Sequence, residues 1–499
     1  MGMYDEYSWG KAPEPIPSEK IVDRIETDVV VVGAGFAGCA AACSAREMGL
    51  DVVQVEKRYR YSARGLHIGV ANSRLLASEG IVNDIDEICR TWISVTGSRA
   101  KESVIRTFLT EGENAMNWLL DKTEAAGINC RIFAGGYKGE TYKEYTCTHL
   151  FDGGADRIVK LLNDTARETG VHQLFDTTAK QLLREPGGRI TGIIVEDADG
   201  YKQIDVSKGV ILATGDISGN VEMMRDLAPM GLKANFCDNP EAAFETGDGH
   251  KMAVWVGAKM QDGPWPCTIH LMAFSMETFF FLLLDQNGKR FMNEDAWAQG
   301  KAVQMILNDE EHPYGYVIMD SKWKQEVQDT IQYGGGLFWE DTLRDIHTPF
   351  NVESVARTAE TCFAEEQVGW KCDTLEELAE KTGIPYENLK ASVDRYNYLV
   401  EKGHDDDFGK RKEFLTSITE PPFFALKTGG ALLNAPGGLS IDEQLRVLDE
   451  HNDPIPGLYA AGNCAGDLYA IDYPLLIAGN NHGHCLTWGY LSGRNIAKL

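Results

Sequence analysis

The residues whose types and spacing best support chemistry are Gly33, Gly35, Gly38 and Glu56. The glycines stand in the run Gly33-Ala34-Gly35-Phe36-Ala37-Gly38. Gly33 permits a tight turn, Gly35 lets a pyrophosphate approach the backbone, and Gly38 lets a helix pack closely on a sheet. A helix N-terminus at that point stabilises phosphate charge. Glu56, roughly 20 residues on, can accept hydrogen bonds from an adenosine ribose and disfavours a 2′-phosphate, so NADP is the wrong ligand. Ala37, within the run, and Lys57, beside the acid, belong to the same expected nucleotide contact.

A glycine triplet positions nothing without the elements around it. Val29 to Val32 form an apolar run straight into Gly33. An Ala-rich helix follows, then a second strand, Val52 to Val55, that ends at Glu56. Strand, turn, helix, strand and acid together predict a dinucleotide-binding unit.

With 499 residues the chain has room for two or three domains. A formal net charge of −27 argues against nucleic acid or an anionic membrane as partner. Eleven cysteines without a C-x-x-C pair read as reduced, mostly buried thiols in a reducing compartment. The first residues, Met1 to Lys11, show no export signal, and Glu6 stands where a myristoylation signal needs Ser or Thr. The apolar run Phe279 to Leu284 is too short to cross a bilayer. A cytoplasmic protein without a membrane span is expected.

Residues 1–26, with prolines at 13, 15 and 17, read as an arm. Arg189 to Val210 reads as a strand pair turning at Asp199-Gly200, and Lys208 to Gly215 as another buried strand. Residues 262–350 are rich in aromatics, among them Trp265, Phe279, Phe280, Phe281, Trp297, Phe338 and Trp339. Thr374 to Glu377 is a capping box, after which Leu389, Val393, Tyr396 and Val400 follow helical spacing. Asp405-Asp406-Asp407 fits no metal-ligand loop and reads as a solvated turn, and no metal is expected. Ile455 to Asn463 is again a strand ending in glycine. This late return predicts a discontinuous first domain, residues 27–243 and 416–499, with residues 244–415 inserted as a cap.

These segments, with Ala213-Thr214-Gly215, Thr246-Gly247-Asp248-Gly249, Asn287 to Glu294, Asp407 to Lys410 and Pro456 to Gly462, occur in an order that resembles the FAD-binding fumarate reductase and 3-ketosteroid dehydrogenase superfamily. The resemblance covers nearly the whole chain. It implies an α/β fold: a Rossmann-like FAD-binding domain in two segments with an inserted α+β capping domain. FAD would be held non-covalently, facing the cleft between them. Gly33, Gly35 and Gly38 would hold the pyrophosphate and Glu56 the ribose. Gly65 and Gly69 would line the flavin, and Ala179 would meet the adenine. Thr214 and Gly215 would follow the phosphate path, and Asp248 would lie near the ribityl chain. Asn463, after Gly462, stands where the family commonly has Glu. The backbone around Ile477 to Asn480 would face the flavin N1–O2 edge, where amide donors stabilise developing charge.

The family's fumarate reductases clamp their dicarboxylate with arginines, whose planar forks pair with carboxylates. Here Trp265 stands at a catalytic position, Gln299 at or near the relay arginine, and Leu476 near the late arginine. A dianion in such a pocket would be desolvated without compensation, so fumarate and similar diacids are excluded. Asp472 to Gly479 instead resembles the Tyr-Pro-x-x-Gly element of the ketosteroid dehydrogenases, with longer spacing. There the hydroxyl of Tyr473 and the amide of Gly479 would hold a substrate carbonyl, unless Tyr473 merely packs at its turn. His270 is either a proton donor or a core histidine; Tyr316 has suitable chemistry without a fixed place. The resulting expectation is reduction of the activated C=C of a hydrophobic enone, steroid-like or aromatic, with hydride from flavin N5. A dehydrogenase passing electrons to an external acceptor and an electron-transfer flavoprotein remain alternatives. Electrons would come from an external donor: a redox protein, reduced flavin or NADH.

Overall fold

The computed structural model describes residues 3–499 apart from 140–141, 276–279, 335–340 and 342. Phe279, Phe338 and Trp339 therefore lie outside the described residues.

The first layer is an eight-stranded sheet whose main path runs Arg446–Leu448, Pro454–Ala460, Gly200–Leu212, Ile21–Val32, Val52–Val55, His172–Leu174. Val29 to Val32 pair in parallel with Val52 to Val55 on one side and with Gly209 to Leu212 on the other. Both faces of these central strands are covered, and so they read as unbroken apolar runs. The strand Pro454–Ala460 joins the same sheet, in parallel with Gly200–Leu212. The discontinuous domain expected from the sequence is thus closed by hydrogen bonds between distant segments. The stretch from residue 200 to 212 is one long strand, not the end of a hairpin plus a separate strand. The strand Ile21–Val32 also takes in the last residues of the expected arm.

The helix Phe36–Glu47 packs on this sheet, with its face of Ala40, Ala41, Ala42 and Ala45 fully buried. The helix Asn480–Ile496 lies against it, and Ser44 Oγ donates to Tyr490 O at 2.6 Å. A Cβ at Gly493 would stand 2.6 Å from Ala45 N, which is why small residues line this contact.

The second layer is a six-stranded, mostly antiparallel sheet around Phe423–Asn434, which pairs with Thr268–Phe274, Tyr314–Met319, Gly369–Cys372 and Phe236–Cys237. Its central strand follows residue 415 and one edge strand precedes residue 244, so this sheet draws on both sides of the expected insertion. Helices Leu375–Thr382 and Tyr386–Lys402 cover its outer face, burying Leu389, Val393 and Tyr396. The Thr374 hydroxyl accepts the Glu377 amide at 3.1 Å, as the capping box requires.

Asp405 corrects one sequence reading. It is 2 % exposed rather than solvated, and it pairs with Arg290 through both carboxylate oxygens. Arg290 also holds Glu294, and the Lys410 ammonium lies 3.3 Å from Glu294. This buried cluster offsets its own desolvation only because every charge has a partner. Phe280 and Phe281 lie in the core beside it. No described helix is long and apolar enough to cross a membrane, and no described group of side chains could hold a metal ion.

Candidate active site between sheet and cap

One cavity of about 680 Å³ runs between the two layers, from Glu56 and Ala179 at one end to His270 and Tyr473 at the other.

The first end is built by the turn from Val32 into the helix Phe36–Glu47. Gly33 has φ +114°, and a Cβ there would collide with Ala213 O. A Cβ at Gly38 would collide with Gly33 O; this glycine serves helix packing and does not line the cavity. Gly35 differs: a Cβ there would meet nothing closer than Ser62 O at 3.9 Å, so the backbone lies open to the cavity. That is the cradle a diphosphate needs, with a helix N-terminus behind it. Glu56 is buried; its two oxygens accept the amides of Ala34 at 2.8 Å and Arg58 at 2.9 Å. Burial raises its pKa against those two hydrogen bonds. Lone pairs remain on both oxygens for ribose hydroxyls.

Lys57 lines the cavity but points to Asp248, 2.9 Å away, and to Thr246 and the carbonyl of Phe244. Burial pushes the Asp248 pKa up, yet Lys57 and Lys251 outweigh it and hold it at about 2. This pairing with the neighbour of Glu56 places Asp248 nearer the adenosine end than the ribityl position expected for it. Thr214, Gly215, Gly462 and Asn463 line the wall between, and Asn463 Oδ1 accepts Asn481 Nδ2 at 2.8 Å. The buried Asp216 and the half-buried Glu245 form an acid pair on the same wall. Burial, then the Asp216 charge, pushes Glu245 up to about 8.

The far end joins three segments. The strand Thr268–Phe274 supplies Thr268, His270 and Met272. The loop after Glu56 supplies Arg64, Gly65 and His67, and the last segment supplies Tyr473, Leu475, Gly479, Asn481 and His482. Gly479 has φ +76° and opens the helix Asn480–Ile496 toward the cavity. Among the described residues its amide has no acceptor. The Tyr473 hydroxyl accepts the Asn481 amide at 3.1 Å and donates to no described residue, so its proton is free for a ligand. Burial raises the Tyr473 pKa, keeping the phenol neutral. The His270 ring lies 6.4 Å from that of Tyr473, and its Nε2 is buried without a partner. Burial, with His67 adding to it, lowers the His270 pKa to about 4. His482 Nδ1 donates to His67 O at 2.8 Å, and burial also holds its pKa at about 4.

Besides Gly38, six expected site residues lie elsewhere. Trp265 is 1 % exposed, with Nε1 donating to Gln261 O at 3.2 Å, and it fills the space that Gly437 leaves. Tyr316 donates to Thr382 O at 3.2 Å within the outer core of the cap, because strand alternation turns it away from the cavity. Gln299 is fully engaged with Cys267, Ile269 and Asp472 behind the wall. Gly69 donates its amide to Gly479 O at 3.0 Å, and Ile477 packs against it, behind the cavity surface. Asn480 is wholly buried; its side chain bridges Tyr469 and Pro474 O. The backbone that faces the cavity begins at Gly479, not Ile477. Arg64, His67 and His482 were not singled out from the sequence; an Arg-Gly loop and a histidine in the first turn of the last helix were the available signals.

A strand–glycine–helix cradle at one end and a phenol, an amide and an imidazole at the other, on this two-layer fold, define an FAD-dependent oxidoreductase of the fumarate reductase and ketosteroid dehydrogenase type. The open Gly35 backbone and the buried Glu56 fit the cofactor's diphosphate and ribose. The chain belongs to the FAD binding domain family, whose sequence profile matches residues 28–475. It is 29 % identical to a vinyl phenol reductase of Lactiplantibacillus plantarum, over 94 % of this chain and 95 % of that protein. It is 26 % identical to an NADH:fumarate oxidoreductase of Klebsiella pneumoniae over 94 % of this chain, spanning only 48 % of that longer protein. Among solved structures, the 3-ketosteroid-Δ4-(5α)-dehydrogenase of Rhodococcus jostii in complex with 4-androstene-3,17-dione shares the fold. Its TM-score is 0.73 at 23 % identity, covering 97 % of this chain and 100 % of that one.

Proposed function

We propose that this protein reduces the carbon–carbon double bond of an uncharged, apolar substrate in which an oxygen is conjugated with that bond. The observation that carries this reading is the pair of donors without protein acceptors among the described residues, the Tyr473 hydroxyl and the Gly479 amide, at the His270 end of the cavity. Bound FAD, once reduced by an external donor, supplies the hydride for the β-carbon. For an enone, Tyr473 and Gly479 hold the carbonyl oxygen as negative charge builds on it, the arrangement that stabilises an enolate. His270, neutral at pH 7, takes up a proton from solvent as that anion raises its pKa, and passes it to the α-carbon.

The cations among the described lining residues are Lys57, Arg58 and Arg64, all from the loop after Glu56. Lys57 is paired with Asp248, Arg58 with Glu241, and Arg64 donates to the carbonyls of Asp238 and Leu433. None comes from the cap, which disfavours a dicarboxylate. The similarity to a vinyl phenol reductase supports an aromatic alkene alongside a cyclic enone.

Anaerobic turnover with reduced methyl viologen as donor tests the reading on three probes: 4-androstene-3,17-dione, para-vinylphenol and fumarate. Reduction of either uncharged probe is expected. Rapid turnover of fumarate alone sinks the proposal. A second reading, insertion of the double bond, is favoured by the unpartnered Nε2 of His270, which can accept an α-proton. Bleaching of oxidised flavin by the saturated ketone distinguishes that direction.

A further inference from the structure

Gln299 lies behind the cavity wall, at or near the place where the resembled fumarate reductases carry a relay arginine. Its amide is spent on three hydrogen bonds. Oε1 accepts the Ile269 amide at 2.8 Å; Nε2 donates to Cys267 O at 2.8 Å and to Asp472 Oδ1 at 2.9 Å. The first two bonds grip the backbone on either side of Thr268, at the start of the strand that carries His270. The third leaves the cap. Asp472 Oδ1 also accepts the amide of Tyr473 at 2.8 Å. One side chain thus connects the strand of His270 to the backbone of Tyr473 through a single carboxylate.

The segment it holds is strained. Ile471 has φ +61°, and the Asp472 amide closes a tight turn onto Ala470 O at 2.6 Å. A β-branched residue in that region persists only where its surroundings over-determine it. Gln299 supplies that constraint from the cap side. Asn480 supplies it from the other, donating to Pro474 O at 2.7 Å while accepting the Tyr469 hydroxyl at 2.9 Å. A primary amide suits this place because it gives and accepts at once; a carboxylate would face Asp472 and Cys267 O with no proton to offer.

We propose that Gln299 and Asp472 are a positioning pair that sets the separation of His270 and Tyr473, so that seating the cap and assembling the reacting site are one event. The inference rests on the functional reading above for its kinetic consequence, but not for its structural one. Gln299 carries no proton; it acts through the two groups it aligns.

The test uses the holoenzyme carrying Gln299→Met, and whichever of 4-androstene-3,17-dione and para-vinylphenol the unaltered protein reduces. Flavin content should be kept, since Gln299 does not line the cavity. A fall in kcat of roughly 100-fold is expected, the scale of an ångström-level misplacement. The loss should be non-additive with Tyr473→Phe, because the displaced hydroxyl has already ceased to contribute. Asp472→Asn, which keeps an oxygen acceptor, should recover most of what Asp472→Leu loses. Hydrogen–deuterium exchange gives a readout independent of turnover: in Gln299→Met, segments 267–270 and 470–482 should loosen together. Loosening confined to the helix Ala298–Asn308, or a kcat loss that adds fully to that of Tyr473→Phe, overturns the proposal. Should Gln299→Met fail to fold, the Asp472 pair decides by the same exchange readout. If the unaltered protein reduces neither probe, the functional reading fails, and the exchange result still judges the positioning pair.

Discussion

The nucleotide end of the cavity comes from residues close in sequence, Gly33 to Lys57 on one strand–helix–strand unit, and it is crowded with paired charges such as Lys57–Asp248 and Arg58–Glu241. The far end brings His67, His270, Tyr473 and Gly479 together from three separate segments; beside the Arg64 guanidinium it offers the neutral phenol of Tyr473, the neutral imidazole of His270 and the Gly479 amide. The first end is a backbone device that recognises what every relative with this cofactor shares. The second is a side-chain device whose parts meet only when sheet and cap are both folded. Cofactor binding and substrate choice can therefore be separated by mutation.

The sharpest break is Gly35→Leu. A side chain there enters the open cradle, and FAD affinity should fall by about 3 kcal/mol, roughly 100-fold. The protein should purify folded but nearly colourless, checked by flavin absorbance against circular dichroism. At the other end, Tyr473→Phe should keep its flavin and lose about 100-fold in kcat, the scale of removing one oxyanion donor. Retained turnover in Tyr473→Phe would refute the division of labour.

Glu56→Gln probes the charged end more gently. The Ala34 and Arg58 amides would then compete for one acceptor oxygen, and FAD should bind about 10-fold more weakly, measured by titration of apoprotein.

The smallest effect is on pH. His149, His250, His270, His482 and His484 are all held at about 4 by burial, against an ordinary 6.5. Each is neutral in the fold, so its contribution is present above pH 6.5 and lost as pH falls from 6.5 toward 4. Burial raises Glu144 and Glu326 to about 7 and Glu245 to about 8, which acts in the opposite sense between pH 4.5 and 8. The histidines outnumber these glutamates below 6.5; between 6.5 and 7 the glutamates act alone, and above 7 Lys301, lowered to about 7 by burial, opposes Glu245. Thermal scans should therefore show a maximum near pH 6.5, with Tm lower by a few degrees at pH 5. Near pH 4 acid charges the far end through His270 and His482, whereas Glu245 titrates beside the nucleotide at about 8.

The contrast also explains what could be read from the sequence. The roles of Gly33, Gly35 and Gly38 follow from local backbone sterics, and the Thr374 cap and the buried stripe of Leu389, Val393 and Tyr396 follow from helical geometry. These need no knowledge of the rest of the chain. Tyr316 and Trp265 were misplaced because a side chain's direction in the cap depends on which strands pair, and pairing is non-local. Asp405 looked solvated because its partner, Arg290, lies more than a hundred positions earlier. The free proton of Tyr473 depends on an amide eight residues on, in the first turn of the helix Asn480–Ile496.

The contact between the fingerprint helix and the helix Asn480–Ile496 has a consequence for biosynthesis. Ser44 meets Tyr490 across 446 residues of chain. While the protein is being made, the turn that cradles the diphosphate leaves the ribosome early, but the Ala-rich helix behind it stays uncovered until its partner emerges. The strand Pro454–Ala460 arrives equally late. Cofactor capture must then follow translation of almost the whole chain, and a prematurely terminated product would present a small-residue apolar face to chaperones and proteases. Bound flavin thereby reports that synthesis has passed the helix Asn480–Ile496.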